Sequence, residues 1–280
     1  STYEGLLPGM TSGVTLPDNP LSWIAELISR GYDPSLNEHK VYVPVPNYPG
    51  AKNRGVTFPP PVYSNEDSST AFLTDELLKW LSVREDENWF VHLSYLRPHP
   101  PWIAPEPYNS MYDPAYVSKP VMMKSLEQEG EQHPLLKMLL AKIQGNRFFP
   151  DNYKGLAAET SEKDILQARA TYYGLITEID HHLGKIISYL KKSGQYDSTL
   201  IVFTSDHGEQ LGDHYLFGKA GYFDATYAIP LIIHNPEIAK STSGNSTAAD
   251  NQVNVFTEAI DVMPTILDWL DLEIPEELDG

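Results

Sequence analysis

The sequence predicts an α/β fold, a mostly parallel sheet sandwiched between two helix layers. Two runs of strand length, "TLIVFT" (Thr199–Thr204) and "PLIIHN" (Pro230–Asn235), are apolar on both faces, as strands covered on both sides by helices are. Such runs alternate with amphipathic helical patterns along the chain. The chain has 280 residues, 41% hydrophobic and 11% aromatic, enough to bury a sizeable core. The expectation is one domain over residues 1–280, with a lid or rim inserted at about 108–160.

In chain order, "PDNPLSWIAELISRGYDP" reads as a short helix capped by Asp18 or Asn19, with Pro20 in its first turn. Leu21, Ile24, Ala25 and Ile28 would share its apolar face, and Gly31 would end it. The proline- and glycine-rich "VPVPNYPGAKNRGVTFPPPVY" is expected as a surface excursion. A second helix is expected from Ser69 to about Val83, then a strand at "WFVHLSY" (Trp89–Tyr95) that ends in the proline cluster "RPHPPWIAP". Residues from about Tyr108 to Thr160 mix short helical patches with breakers, which is why they read as an insertion. The strongest helix runs from Ser161, a cap with Asp164 three residues on, to about Lys192. Its apolar face would comprise Ile165, Tyr172, Leu175, Ile176, Ile179, Leu183, Ile186, Ile187 and Leu190, with Gly194 as the stop. "DVMPTILDWL" closes the pattern as a helix that places Pro264 in its first turn, where a missing N–H costs little.

The charged residues, 20 basic and 38 acidic, leave a net charge of −18. With no basic run, nucleic acid is not expected as a partner; a small anionic substrate remains compatible, because a cleft can oppose the net charge. The absence of cysteine excludes disulfides, thiolate metal sites and a cysteine nucleophile within these residues. No apolar stretch is long enough to span a bilayer, so no membrane partner is expected. Both ends read as cut: Ser1 stands where an initiator methionine would, and the chain stops at "EELDG".

"LIVFTSDHGEQLGDHYLFGKAGYFD" concentrates the chemistry. Asp206 and His207 follow a strand, where ligands of open α/β sheets bind, and adjacent carboxylate and imidazole groups can reach one divalent cation. Gly208 would let the chain turn sharply there. The alternative is that Asp206 caps a following helix and His207 packs beneath a loop. Lys219, preceded by Gly218 and followed by Gly221, can hold an ammonium over an anion, or be a solvated surface lysine. His99, between prolines, can act as a general acid or oxyanion donor, or pack against Trp102. Asp213-His214 repeats the Asp-His pair in a charged loop and is expected to support rather than ligate. His181 and His182 diverge by about a hundred degrees around their helix and are expected at the surface. Ser205 lies in no nucleophile-elbow pattern.

With these residues in hand, "FTSDHGEQLGDHYLFGKAGYFDATYAIPLII" resembles the sulfatases of the alkaline phosphatase superfamily, especially the bacterial phosphonate monoester hydrolases. "YLRPHPPWIAPEPYNSMYDP", "ATYYGLITEIDHHLGKIISYL" and "DVMPTILDWL" are similar to the same subgroup in the same order, and the resemblance starts near Leu16. It implies an alkaline phosphatase-like three-layer sandwich. It also makes Asp206 and His207 ligands of one divalent cation (calcium, manganese or magnesium), Lys219 a contact to the transferred sulfuryl or phosphoryl group, and His99 a group near the leaving oxygen. Family members carry an upstream Cys-x-Pro/Ala-x-Arg type motif whose cysteine becomes the formylglycine nucleophile, and upstream aspartates that complete the metal site; this chain has neither. Where close relatives have a tyrosine- and threonine-bearing strand end after "GYDPSLN", this sequence reads "EHKVYV".

The function implied is metal-dependent hydrolysis of sulfate esters or phosphonate/phosphate monoesters, the chain forming the middle and later part of such an enzyme and being inactive by itself. A small anionic ester would be the substrate, and self-association is compatible with the sequence. The rivals are a non-catalytic relative that binds an anion or partner, and a two-metal branch of the superfamily with a threonine or serine nucleophile. The compartment expected is the cytoplasm, with the periplasm or secretion as alternatives.

Overall fold

Helix α5 (Glu162–Lys192) organises the chain. Ser161 caps it by accepting from the N–H of Asp164 while its hydroxyl donates to Asp164 Oδ2 at 2.7 Å, the predicted start. Glu162 and Asp164 at one end and Lys191 and Lys192 at the other suit the helix dipole. Beyond Ser193, Gly194 takes a φ of +77°. The computed structural model describes residues 21–84, 88–150, 153–241 and 252–280; the expected cap at Asp18 or Asn19, Pro20 and the start near Leu16 lie outside them.

The buried stripe of α5 follows most of the predicted face and is widened by small residues. Ile165, Leu175, Ile179 and Leu190 are buried, but Ile176 is exposed, and Ala168, Ala170 and Gly174 lie inside as well. The reason is close backbone approach: a Cβ on Gly174 would stand 2.1 Å from the carbonyl oxygen of Tyr108. His182, expected at the surface, is only 2% exposed, whereas His181 faces solvent. Helix α1 (Leu21–Ser29) is rotated, burying Trp23, Ile24 and Leu27 and exposing Leu21 and Ala25. Helix α2 spans Ser69–Leu81, with the Ser68 hydroxyl accepting from the N–H of Ala71.

The proline-rich stretch after α1 is irregular, as expected, but it is not a surface excursion: Val41 and Tyr63 complete a core with Trp23, Ile24 and Leu27. The inserted residues form α3 (Leu126–Glu131) and α4 (Pro134–Lys142). Leu136 and Leu140 of α4 pack with Ala158 and Leu216, while Tyr108 and Phe149 of the insertion join a second core with Trp102, Leu175, Leu211 and Phe217.

Strands β1 (Ile201–Thr204) and β2 (Leu231–His234) pair with Ile201 opposite His234 and Thr204 opposite Leu231. Helices and strands thus alternate as the α/β class requires; the strand pair formed by the described residues is antiparallel, as an edge pair of a largely parallel sheet often is. Residues 205–230 connect the two strands, and within them only α6 (Asp224–Tyr227) is helical beyond a three-residue turn. Trp89–Tyr95, expected as a strand, joins no ladder among the described residues. Nor are the strands covered on both faces, since Ile232 is 63% exposed.

Candidate active site

No helix follows β1 directly, so Asp206 is not a cap; its carboxylate instead accepts from the N–H of His207 at 3.0 Å. His207 Nδ1 lies 2.8 Å from the carbonyl oxygen of Gly208. A carbonyl only accepts, so this bond places the proton on Nδ1 and leaves the lone pair on Nε2. Nε2 stands 3.4 Å from Asp206 Oδ2. Two ligands bound to one ion at about 2.0–2.4 Å and near a right angle are separated by about 3 Å, so the pair fits two positions of one divalent cation. A backbone carbonyl holding the other ring nitrogen is also the usual support for a metal-binding imidazole. Among the described residues no group of three or more His, Cys, Asp or Glu side chains completes such a site.

Gly208 is required by proximity rather than by a turn. A Cβ there would lie 2.1 Å from the carbonyl oxygen of Ala225, and its N–H donates to the carbonyl of Thr226 at 2.7 Å. The next residue sets the loop. The Glu209 carboxylate accepts from the N–H groups of Leu211 (3.2 Å) and Gly218 (2.5 Å), and Gln210 N–H donates to the carbonyl of Gly218. These bonds fold the segment carrying Lys219 back onto the one carrying His207. Burial pushes the Glu209 carboxyl up, against the pull of those N–H donors. Gly218 and Gly221 take φ of +72° and +90°, the left-handed region that glycine adopts without strain. Between them Lys219 is exposed and forms no hydrogen bond or ion pair with another described residue.

His99 is also exposed, its Nδ1 2.6 Å from the carbonyl oxygen of Pro100; by the same argument Nε2 is the nitrogen left free. It does not pack away against Trp102. That ring is fully buried, stacked on Phe148 at 5.8 Å and tilted against Phe217 at 5.4 Å, so the loop of His99 and the loop of Lys219 share one aromatic cluster.

Asp213 and His214 hold this loop to the inserted segment. Asp213 Oδ1 accepts from Arg169 Nη2 (2.5 Å) and from the N–H of Val121 (2.7 Å). His214 Nδ1 lies 3.0 Å from the fully buried Glu129 carboxylate, and its ring stacks on Phe223 with centroids 3.7 Å apart. Sequence reasoning missed Glu129, Arg169 and Glu209. The first two lie 85 and 44 residues from their partners, a separation that leaves no periodic signal.

The family model for sulfatases matches residues 30–272. The multifunctional alkaline phosphatase superfamily protein PehA of Trinickia caryophylli is 40% identical over 260 residues, 92% of this chain and 48% of the relative. An arylsulfatase of Clostridium perfringens is 30% identical over 224 residues, 78% of this chain and 41% of the relative. The phosphonate monoester hydrolase of Agrobacterium radiobacter superposes with a TM-score of 0.88 at 40% identity, covering 99% of this chain and 52% of that one. That of Silicibacter pomeroyi superposes at 0.80 and 41% identity, covering 93% and 48%. The α/β, alkaline phosphatase-like fold is shared with them, and the chain spans about half the length of these relatives. With a matching model over most of its length, the chain belongs to the sulfatase family.

Proposed function

We propose that this chain carries the Asp206–His207–Lys219–His99 portion of a metal-dependent hydrolase acting on sulfate esters or phosphonate/phosphate monoesters. The observation that supports it most is the His207 tautomer: with Nδ1 committed to the Gly208 carbonyl, the Nε2 lone pair and Asp206 Oδ2 stand 3.4 Å apart on a loop folded against Lys219. Relatives named as arylsulfatase and as phosphonate monoester hydrolase give the two substrate classes.

The divalent cation would polarise the ester oxygen, and the nucleophile would be a formylglycine on a residue outside this chain, which has no cysteine. Asp206 and His207 hold and orient. As two ligands are too few for a catalytic ion, the ion takes its remaining ligands from beyond this pair. Lys219 sets a point charge against the non-bridging oxygens. In its doubly protonated form, with Nδ1–H held by the Pro100 carbonyl, His99 would hand the Nε2 proton to the departing oxygen. Gly208, by letting two backbone segments touch, keeps Asp206 and His207 at one spot.

In the intact natural polypeptide, Asp206→Ala is expected to lower turnover of aryl sulfates and phosphonate monoesters by about 10³-fold or more and to remove bound metal. Unchanged turnover and metal content would take Asp206 out of the site. Mass spectrometry of that polypeptide's peptides should find a Cys-x-x-x-Arg segment with the cysteine as formylglycine. If the natural protein contains none, the anion- or partner-binding reading replaces hydrolysis.

A further inference from the structure

We propose that Arg97 is the positioning residue of His99: from beneath the loop it sets where the imidazole points. The inference rests on the role given to His99 above. In "LRPHPP" the prolines at 98, 100 and 101 have no N–H, so this loop is short of backbone donors for its own carbonyls. A side chain must supply them. Arg97 Nη1 donates to the carbonyl of His99 at 2.8 Å and to that of Pro101 at 2.9 Å. The N–H of His99 donates to the carbonyl of Leu96 at 3.0 Å, and its ring Nδ1 to that of Pro100 at 2.6 Å. His99 is thus held on its N–H, its carbonyl and its ring, while the ring itself stays exposed.

The guanidinium is only 4% exposed, and burying a cation is costly unless its donors are used. Its carboxylate neighbour, Glu178, acts on it by charge alone; the two carbonyls beside Pro100 take the hydrogen bonds. Its Cζ stands 4.6 Å from the Tyr42 ring centroid and Nη2 is 3.5 Å from the Tyr63 hydroxyl. Tyr63 is wedged edge-on against Trp23 at 5.1 Å, so the first core fixes the head group that fixes the loop.

The test uses the intact, metal-loaded natural protein and two esters differing only in leaving group, a poor alkoxide and a good nitrophenolate. His99→Ala should lose about 10²-fold or more on the alkyl ester and only a few-fold on the nitrophenyl ester. Arg97→Lys should lose about tenfold in kcat on the alkyl ester and little on the other, with KM nearly constant. The double variant should be no worse than His99→Ala. Equal Arg97→Lys losses on both esters, or losses that multiply with those of His99→Ala, would overturn the proposal. If Arg97→Lys does not fold, Tyr42→Leu should give the same leaving-group pattern more weakly, and equal losses on both esters would again overturn it. A separate readout does not depend on turnover. By ¹⁵N spectroscopy, His99 should carry its proton on Nδ1 in the wild type and shift toward Nε2 in whichever of the two variants folds. An unchanged tautomer sinks the positioning role even if hydrolysis is established. If hydrolysis is never observed, the earlier reading fails while this spectrum still decides the placement.

Discussion

Two regions of this chain keep their apolar surface very differently. Around Trp102, the loops of His99 and Lys219 and the inserted segment close on themselves: Phe148, Phe149 and Phe217 surround the indole, and Arg169–Asp213 and Glu129–His214 tie the edges. At β1–β2, by contrast, Ile232 stands 63% exposed, and Phe90, in the stretch expected as a neighbouring strand, is equally open. The rim that presents the candidate site is therefore organised by side chains within the chain, while β2 leaves Ile232 and Ile233 exposed. Irregular segments can be the better-buried part of a site when each turn is closed by a side chain from elsewhere.

The sharpest way to break the comparison is Trp102→Ala. It removes a fully buried ring from the aromatic cluster and is expected to cost about 3–5 kcal/mol, read as a lower urea midpoint of the chain. A cost below about 1 kcal/mol would mean the loops are held from elsewhere. A smaller effect is expected in the second half of α5, which leads toward the sheet. Burial, with help from Lys185 and His181, holds His182 down to about 4, against its usual 6.5. A depressed histidine favours the folded state fully above pH 6.5 and loses that contribution as pH falls from 6.5 through about 4. Glu178, one turn before, is pushed up by burial, so its protonated form favours folding at low pH and that part is lost as pH rises. Unfolding at pH 7 and pH 5 should show His182→Asn flattening the acid loss of stability; an unchanged slope would clear His182 of that role. The smallest effect belongs to the open face: Ile232→Ser should change stability of the chain by no more than about 0.5 kcal/mol. A loss near that of a core residue would show the face to be covered in solution.

By itself the sequence determined the α/β class, the span and cap of α5, the strand cores at Ile201–Thr204 and Leu231–His234, and the candidates Asp206, His207, Lys219 and His99. Apart from the roles of Lys219 and His99, which the family resemblance implies, these are short-range signals: apolar runs, a serine three residues before an aspartate, an Asp-His-Gly at a strand end. The tertiary structure decided the rest. The antiparallel direction of β1 and β2 and the burial of Gly174 on α5 beneath the backbone of Tyr108 are seen only in the fold. The His207 tautomer comes from one carbonyl, and the anchoring of the site loops from Arg97, Glu129, Arg169 and Glu209. Apart from Arg97, which acts on its own loop but is seated in a distant core, these groups work through partners or packing that spacing along the chain does not encode. A hydrogen bond between residues 85 apart has no periodicity to read; it exists only once the chain has folded.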